Sequence, residues 1–447
     1  MTNEKYGLIG RTLVHSYSKE IHEALGQYQY QLFSLAEDEM PDFINARDFR
    51  GLNVTIPYKK DVIPLCDEVT DLARGIGAVN TLFWKNASGA GASESISQED
   101  KILVGHNTDY EGFLYAASRA GIDFEGKGVL ILGTGGTSLM ARRAAADQNA
   151  AKIYIASRHP ETDPPSGSEI QDAGILSTVS YDQLPEIADS IDVIVNTTPV
   201  GTFPNNMQQV IRLKDFPGCQ AVIDVIYNPF KTALLLEAEK LGLKYTNGLP
   251  MLVAQATAAA GYFLGTPGAF QKENQRIIKS MKQRMGNIVL IGMPGTGKSL
   301  IGKFLAELTG KTLQDTDAKI EEEAKMTIPE IFEKEGAAGF RDRESAICKK
   351  LGKERNLIIA TGGGAILRPE NVDALRQNGT LVHITRSIDK LPTRGRPLSK
   401  NIETLKKMEA QRMPLYKAAA DITFRNNYTC SRKKLRQRVT TYILEKL

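Results

Sequence analysis

Short runs of apolar residues that end in glycine or polar turns recur along this chain, and stretches with helical spacing lie between them. YGLIG at 6–10, GLNVTIP at 51–57 and AVNTLFW at 78–84 read as strands, with helical stretches at 21–27 and 40–48 separating them. GVLIL at 128–132 and KIYIA at 152–156 read as further strands, and DVIVNTTPVGT at 192–202 and AVIDVIYNP at 221–229 as apolar strands ending in polar turns, as expected along the carboxyl edge of a parallel sheet. NIVLI at 287–291 opens a third such series, followed by helical spacing at 300–308. The alternation predicts an α/β protein throughout. Two stretches break it. NASGAGASESISQED at 86–100 is Gly/Ser-rich and acidic, and its flanking strands predict a solvated hairpin tip. QKENQRIIKSMKQRMG at 271–286 is highly charged, with apolar Ile277, Ile278 and Met281 on one side, which predicts a solvated amphipathic helix joining two halves.

At 447 residues the chain exceeds one ordinary core and predicts about three domains. A net charge of +4, with no basic run interleaved with aromatics, argues against a nucleic-acid partner. Cys66, Cys219, Cys348 and Cys430 are scattered without a CxxC pair, which predicts neither a zinc site nor a disulfide framework. No stretch approaches the ~18 apolar residues of a membrane span, and MTNEKYGLIG lacks a signal-length apolar run. The expectation is a cytoplasmic enzyme with small-molecule partners and no membrane partner.

Two glycine turns carry readable chemistry. GMPGTGKS at 292–299 sits between a buried strand and a helix, where Gly292, Gly295 and Gly297 let the backbone curl with Thr296 among them. Inward N–H groups and the helix N-terminus then cradle phosphates, Lys298 reaches the outer ones, and the Ser299 hydroxyl can hold Mg²⁺. This half is expected to bind a nucleoside triphosphate such as ATP. GTGGTS at 133–138 repeats the strand–turn–helix context, with Gly133, Gly135, Gly136 and Thr137 in the turn and Ser138 where the common dinucleotide fingerprint has its third glycine or alanine. Ser157 and Arg158 follow the next strand at the distance from Gly133 where the ribose reader is expected, and a cation there suits a 2′-phosphate, so NADP(H) is expected over NAD.

Further motifs carry a resemblance to known families. HSYS at 15–18, NVTIPYK at 53–59, AVNT at 78–81, GHNTDYEG at 105–112, DVIVNTTPVGT at 192–202, AVIDVIYNP at 221–229 and GLPMLVAQA at 248–256 together resemble shikimate dehydrogenase. The resemblance implies that Ser16 and Ser18 hold a substrate carboxylate, that Thr55 and Asn80 contact ring hydroxyls, and that Lys59 and Asp109 form the catalytic pair. It places Tyr227 near the nicotinamide and Gln255 at the substrate. One departure is Lys19, where the family has proline. LQDTDAKIEEE at 313–323, EGAAGFRDRE at 335–344, LIIATGGGAI at 357–366, TRGRPL at 393–398 and QRMPLY at 411–416 resemble shikimate kinase. There Asp317 is implied to deprotonate the substrate hydroxyl and Asp315 to sit behind Mg²⁺. Arg341 and Arg412 hold the carboxylate, Gly362, Gly363 and Gly364 line the substrate, and Arg396 comes from a closing lid. Arg341 is equally placed to pair with Glu344 on a helix face. Ala337, where the family has glutamate, and a short lid segment depart from the pattern.

The implied organisation is a substrate domain at 1–105 with 250–270 packing back on it, and a Rossmann-type NADP domain at 106–249. A helical connector at 271–286 then leads to a P-loop kinase domain at 287–447. The implied function is NADPH-dependent reduction of 3-dehydroshikimate followed by ATP-dependent phosphorylation of shikimate. An NAD-using quinate/shikimate dehydrogenase in the first half, or a non-catalytic sensor of pathway ligands, are the alternatives. A sensor has no need to keep Lys59, Asp109, Lys298, Ser299 and Asp317 together.

Overall fold

The structure is a computed structural model that describes residues 5–13, 16–86, 101–162, 174–391, 402–427 and 431–447. It divides into two compact units, residues 1–202 with 208–279 and residues 203–207 with 280–447. The boundary falls inside the helix Asn274–Met285, within the stretch predicted to join the halves. That helix is not the solvated connector the charges suggest. Asn274, Ile277, Ile278, Met281 and Met285 are all buried, and Thr257 Oγ1 donates to Asn274 Oδ1 at 2.6 Å.

The first unit holds two six-stranded sheets. Strands β1 (Tyr6–Gly10), β2 (Tyr30–Ser34), β3 (Gly51–Val54), β4 (Glu68–Val69), β5 (Thr81–Asn86) and β6 (Lys101–His106) form a mixed sheet in the order β2-β1-β3-β5-β6-β4. β1 pairs parallel with both β2 and β3, whereas β5 runs antiparallel to β3 and β6. The strand expected at 78–84 begins only at Thr81; Val79 N donates to Lys59 O at 2.8 Å, and the Asn80 side chain turns to the next helix, its Oδ1 accepting from Thr108 N at 2.7 Å. The hairpin tip expected at 86–100 lies, beyond Asn86, outside the described residues.

Strands β7 (Gly128–Leu132), β8 (Lys152–Ser157), β9 (Leu176–Ser180), β10 (Val193–Asn196), β11 (Ala221–Asp224) and β12 (Lys244–Thr246) form an all-parallel sheet in the order β12-β11-β10-β7-β8-β9. The order reverses between β7 and β10, the crevice where doubly wound sheets collect dinucleotides. The apolar run of β7 is explained by its two cores. Val129 and Ile131 pack with Phe113, Met140 and Ala144, while Leu130 and Leu132 pack with Ile194, Leu234 and Leu235. Helix Gly248–Phe263 spans back to the first sheet, where Ala259 and Phe263 pack with Tyr6, Leu8 and Tyr30. A Cβ on Gly51 would strike the Phe263 ring, so glycine there admits the helix.

In the second unit β13 (Asn287–Ile291), β14 (Thr312–Asp315), β15 (Leu357–Ala360), β16 (Gly379–Thr385) and β17 (Ile422–Arg425) form a parallel sheet in the order β14-β15-β13-β16-β17. Alternate residues of β13 again serve two cores, Val289 and Ile291 with Ile331 and Phe340, Ile288 and Leu290 with Ile301 and Val439. Helix Ile328–Lys353 is interrupted at Gly336, whose φ of 69° is left-handed backbone that favours glycine, so the segment carrying Arg341 starts afresh. Among the described residues no helix is long and apolar enough to cross a membrane.

Candidate active sites

In the first unit a cavity of about 380 Å³ opens where the mixed sheet faces the carboxyl edge of the parallel one. Ser16, Ser18, Thr55, Lys59, Asn80, Asp109, Tyr227 and Gln255 all line it, although they come from six separate segments. Thr55 follows β3 and is held there by Thr55 N donating to Ile9 O at 3.0 Å. Lys59 Nζ bonds to Asp109 Oδ2, and both side chains are largely buried. Asp109 lies in the first turn of helix Thr108–Arg119, which Asn80 anchors. With Asn80 Oδ1 accepting from Thr108 N, Thr108 Oγ1 and Thr81 Oγ1, its amide N–H₂ is what it offers a ligand. Ser16 Oγ accepts from Ser18 N at 3.2 Å. Tyr17 between them meets the Tyr227 ring edge-on at 5.9 Å. Tyr17 and Asn53 also line the cavity. Neither is marked out as a site residue by the sequence, since a residue between two hydroxyls and the first residue of NVT give no signal of their own.

A second cavity of about 590 Å³ adjoins the glycine turn, lined by Gly133, Gly135, Arg158, His159 and residues 197–200. Gly133 has a φ of 101°, and no atom lies within 4 Å of a Cβ built on Gly135 or Gly136, so the turn leaves open space for a ligand backbone. Ser157 is buried and its Oγ accepts from His159 N at 2.9 Å, which folds the chain so that Arg158 faces the cavity. Thr137 lines the first cavity and not this one. Ser138 is fully buried and accepts from Arg142 Nε at 3.2 Å, a packing position like that of the fingerprint's third glycine.

The third cavity, about 470 Å³, belongs to the second unit. Gly292, Gly295 and Gly297 have φ values of 145°, 88° and 97°, the curl the phosphate loop needs. Thr296 is turned inward, its Oγ1 donating to Met293 O at 3.0 Å. Lys298 Nζ donates to Gly292 O at 2.8 Å, across the loop. Ser299 Oγ donates to Asp315 Oδ2 at 3.0 Å, and Asp317 N to Asp315 Oδ1 at 3.1 Å, so one carboxylate organises both neighbours. Burial, reinforced by Asp315 and Glu344, pushes the Asp317 carboxyl up to about 6. Opposite, Arg341 pairs with the buried Glu344, and Arg412 Nη1 donates to Gly363 O at 2.8 Å. The ion pair of Arg341 and Glu344 is thus real, and it forms inside the cavity. Gly362, Gly363 and Gly364 follow β15, and side chains crowd each of them: Asp317 and Glu344 at Gly362, Pro294 at Gly363, Arg341 at Gly364. Arg396 lies outside the described residues.

A doubly wound parallel sheet with a dinucleotide cleft beside a lysine–carboxylate pair defines a dehydrogenase. A parallel sheet whose central strand feeds a phosphate loop, facing paired carboxylates and arginines, defines a P-loop kinase. Residues 8–82 match the family model for the shikimate dehydrogenase substrate binding domain, and residues 294–447 that for shikimate kinase. A shikimate dehydrogenase (NADP(+)) from Caldicellulosiruptor bescii is 35% identical over 57% of this chain and 88% of its own length. The structure of a chorismate mutase/shikimate 5-dehydrogenase fusion protein from Clostridium acetobutylicum is 31% identical with a TM-score of 0.54, covering 63% of this chain and 98% of that one. Shikimate 5-dehydrogenase from Thermus thermophilus, solved with NADP(H) and shikimate, is 28% identical with a TM-score of 0.50, covering 62% and 99%. The chain belongs to the shikimate dehydrogenase family and, with the shikimate kinase domain that follows, is a bifunctional enzyme of the shikimate pathway.

Proposed function

We propose that the first unit reduces 3-dehydroshikimate to shikimate with NADPH and that the second phosphorylates shikimate with ATP and Mg²⁺. The observation that carries the reading is the Lys59–Asp109 pair, met by Tyr227 and Thr137 in one cavity, on the same carboxyl edge as the Arg158 cleft. NADPH, when bound, supplies the hydride. Lys59 Nζ delivers a proton to the oxygen that becomes a hydroxyl, and the Asp109 carboxylate keeps that ammonium oriented. Ser16 and Ser18 hold the substrate carboxylate, and Thr55, Asn80 and Gln255 fix the ring. Arg158 reads the 2′-phosphate.

In the second unit Asp317 takes the proton of the attacking hydroxyl, and Arg341 and Arg412 hold the carboxylate. Lys298 and the phosphate-loop N–H groups neutralise the transferred phosphoryl group. The hydroxyl of Ser299 and the carboxylate of Asp315 are hard oxygen donors that fit Mg²⁺, which when bound draws charge from the phosphates. NADPH oxidation on adding 3-dehydroshikimate, then ADP release on adding ATP, tests the reading. Lys298→Met should abolish only the second signal, and a fall in both would refute the separate sites.

A further inference from the structure

Asn196 and Asp224 are the last residues of neighbouring parallel strands and pair in register. Both are buried, Asp224 to 0% exposure, and Asn196 Nδ2 donates to Asp224 Oδ1 at 3.1 Å. Two arms leave this pair. On one side Asn196 Oδ1 accepts from Thr198 N at 3.1 Å and from Thr198 Oγ1 at 2.7 Å, and Thr198 Oγ1 accepts from Val200 N at 3.3 Å. These bonds fold the loop 197–200, which lines the dinucleotide cavity. On the other side Asp224 Oδ1 accepts from Ile226 N at 3.1 Å, and Oδ2 accepts from Thr232 Oγ1 at 2.6 Å. Thr232 caps helix Ala233–Lys240, so the segment 225–232 is pinned at both ends. Val225 and Tyr227, which flank Ile226, line the substrate cavity.

A carboxylate without solvent is expensive, and burial pushes the Asp224 carboxyl up to about 6 against the three hydrogen bonds that favour its charge. An apolar residue would fill the space at less expense, but it could not accept from both arms. We propose that Asp224 is a positioning residue for hydride transfer, its single carboxylate setting the dinucleotide-side loop and the Tyr227 loop relative to one another. The proposal rests on the dehydrogenase reading of this unit.

The test uses the full chain, with kinase turnover in the same sample reporting intact protein. Asp224→Ala should raise KM for NADPH and for 3-dehydroshikimate and lower kcat for reduction about tenfold or more. It should also enlarge the deuterium isotope effect from NADPH labelled at the transferred hydrogen, because a misaligned transfer becomes rate-limiting. Asp224→Asn keeps Oδ1 for Asn196 and Ile226 and lets the Thr232 hydroxyl accept instead, so it should restore reduction to within about threefold of wild type. Should Asp224→Ala fail to fold, single-arm variants carry the test. Thr198→Val should raise KM for NADPH, and Thr232→Val that for 3-dehydroshikimate. A smaller active fraction with unchanged KM values and isotope effect would show a structural role only and overturn the proposal. A wild-type chain that does not reduce 3-dehydroshikimate would fail the functional reading alone. The dinucleotide arm is still read by NADPH fluorescence titration, where equal Kd values for wild type and Asp224→Ala would overturn the proposal.

Discussion

Gly362 offers the sharpest probe of the kinase cavity. A Cβ built on it would lie 2.5 Å from Asp317 Oδ1 and 2.9 Å from Glu344 Oε1. Ordinary contact begins near 3.4 Å, so the Asp317 oxygen must withdraw by 3.4 − 2.5 = 0.9 Å to admit one methyl group. The backbone cannot retreat freely instead, because Gly362 N donates to the buried Thr316 Oγ1 at 2.8 Å. Nor does alanine add torsional strain, since Gly362 is not among the glycines with positive φ. A misplacement of about 1 Å in a reacting group is worth about 10²-fold in rate, or about 2.7 kcal/mol of barrier. Gly362→Ala should therefore lower kcat for shikimate phosphorylation about 100-fold while KM for ATP stays near wild type. ADP release at saturating ATP and shikimate, normalised to 3-dehydroshikimate reduction by the same sample, measures it. Gly364→Ala is the companion variant. Its Cβ meets the far end of Arg341, a side chain that can swing away, so KM for shikimate should rise more than kcat falls. A Gly362→Ala chain that keeps kcat within about threefold would remove Asp317 from the role of base.

Three further outcomes are expected. Lys59→Ala should lower kcat for reduction by about 10²-fold or more, leaving NADPH titration and kinase turnover unchanged; near wild-type kcat would make Lys59 a bystander. Arg158→Asp should shift kcat/KM toward NADH by about tenfold or more, read from parallel assays with both cofactors, and an unchanged ratio would mean that another residue reads the ribose. Asp224 is held up to about 6 when folded, above an unfolded value of about 3.9, so the folded chain binds a proton in that window that the unfolded chain does not. Its contribution to stability is present below about pH 4 and lost as pH rises through about 6, and Asp224→Asn should flatten that decline in the Tm at which reduction is lost.

Local chemistry makes much of this architecture readable. NIVLI and GVLIL announce themselves because both faces of those strands are buried, and GMPGTGKS does so because few other sequences suit a phosphate curl. Boundaries are lost where a distant segment takes a backbone group, as at Val79, whose N–H donates to Lys59 O at 2.8 Å where periodicity predicts strand. The helix Asn274–Met285 keeps its expected amphipathic pattern but is less solvated than its charges suggest. Its polar residues outnumber its apolar ones, yet the stripe of Ile277, Ile278, Met281 and Met285 finds a core. Asn53, inside β3, and Asp224, at the end of β11, lie within recognisable motifs but are not singled out there, because a polar residue near a strand end reads as a turn until its partners arrive from distant segments. For Asn53 Oδ1 that partner is Tyr30 Oη at 2.7 Å.

The place where the chain enters the kinase sheet has a consequence for which substitutions can reach the chemistry. Entry is at Asn287, the amino end of β13, and Pro294, Lys298, Asp315, Asp317 and Gly362 all lie at or beyond the carboxyl ends of β13, β14 and β15. Five residues of strand, about 16 Å, separate the entry from the phosphate loop. A substitution at the amino edge of β13 can therefore loosen the sheet without touching the phosphate loop, whereas one at the carboxyl edge cannot.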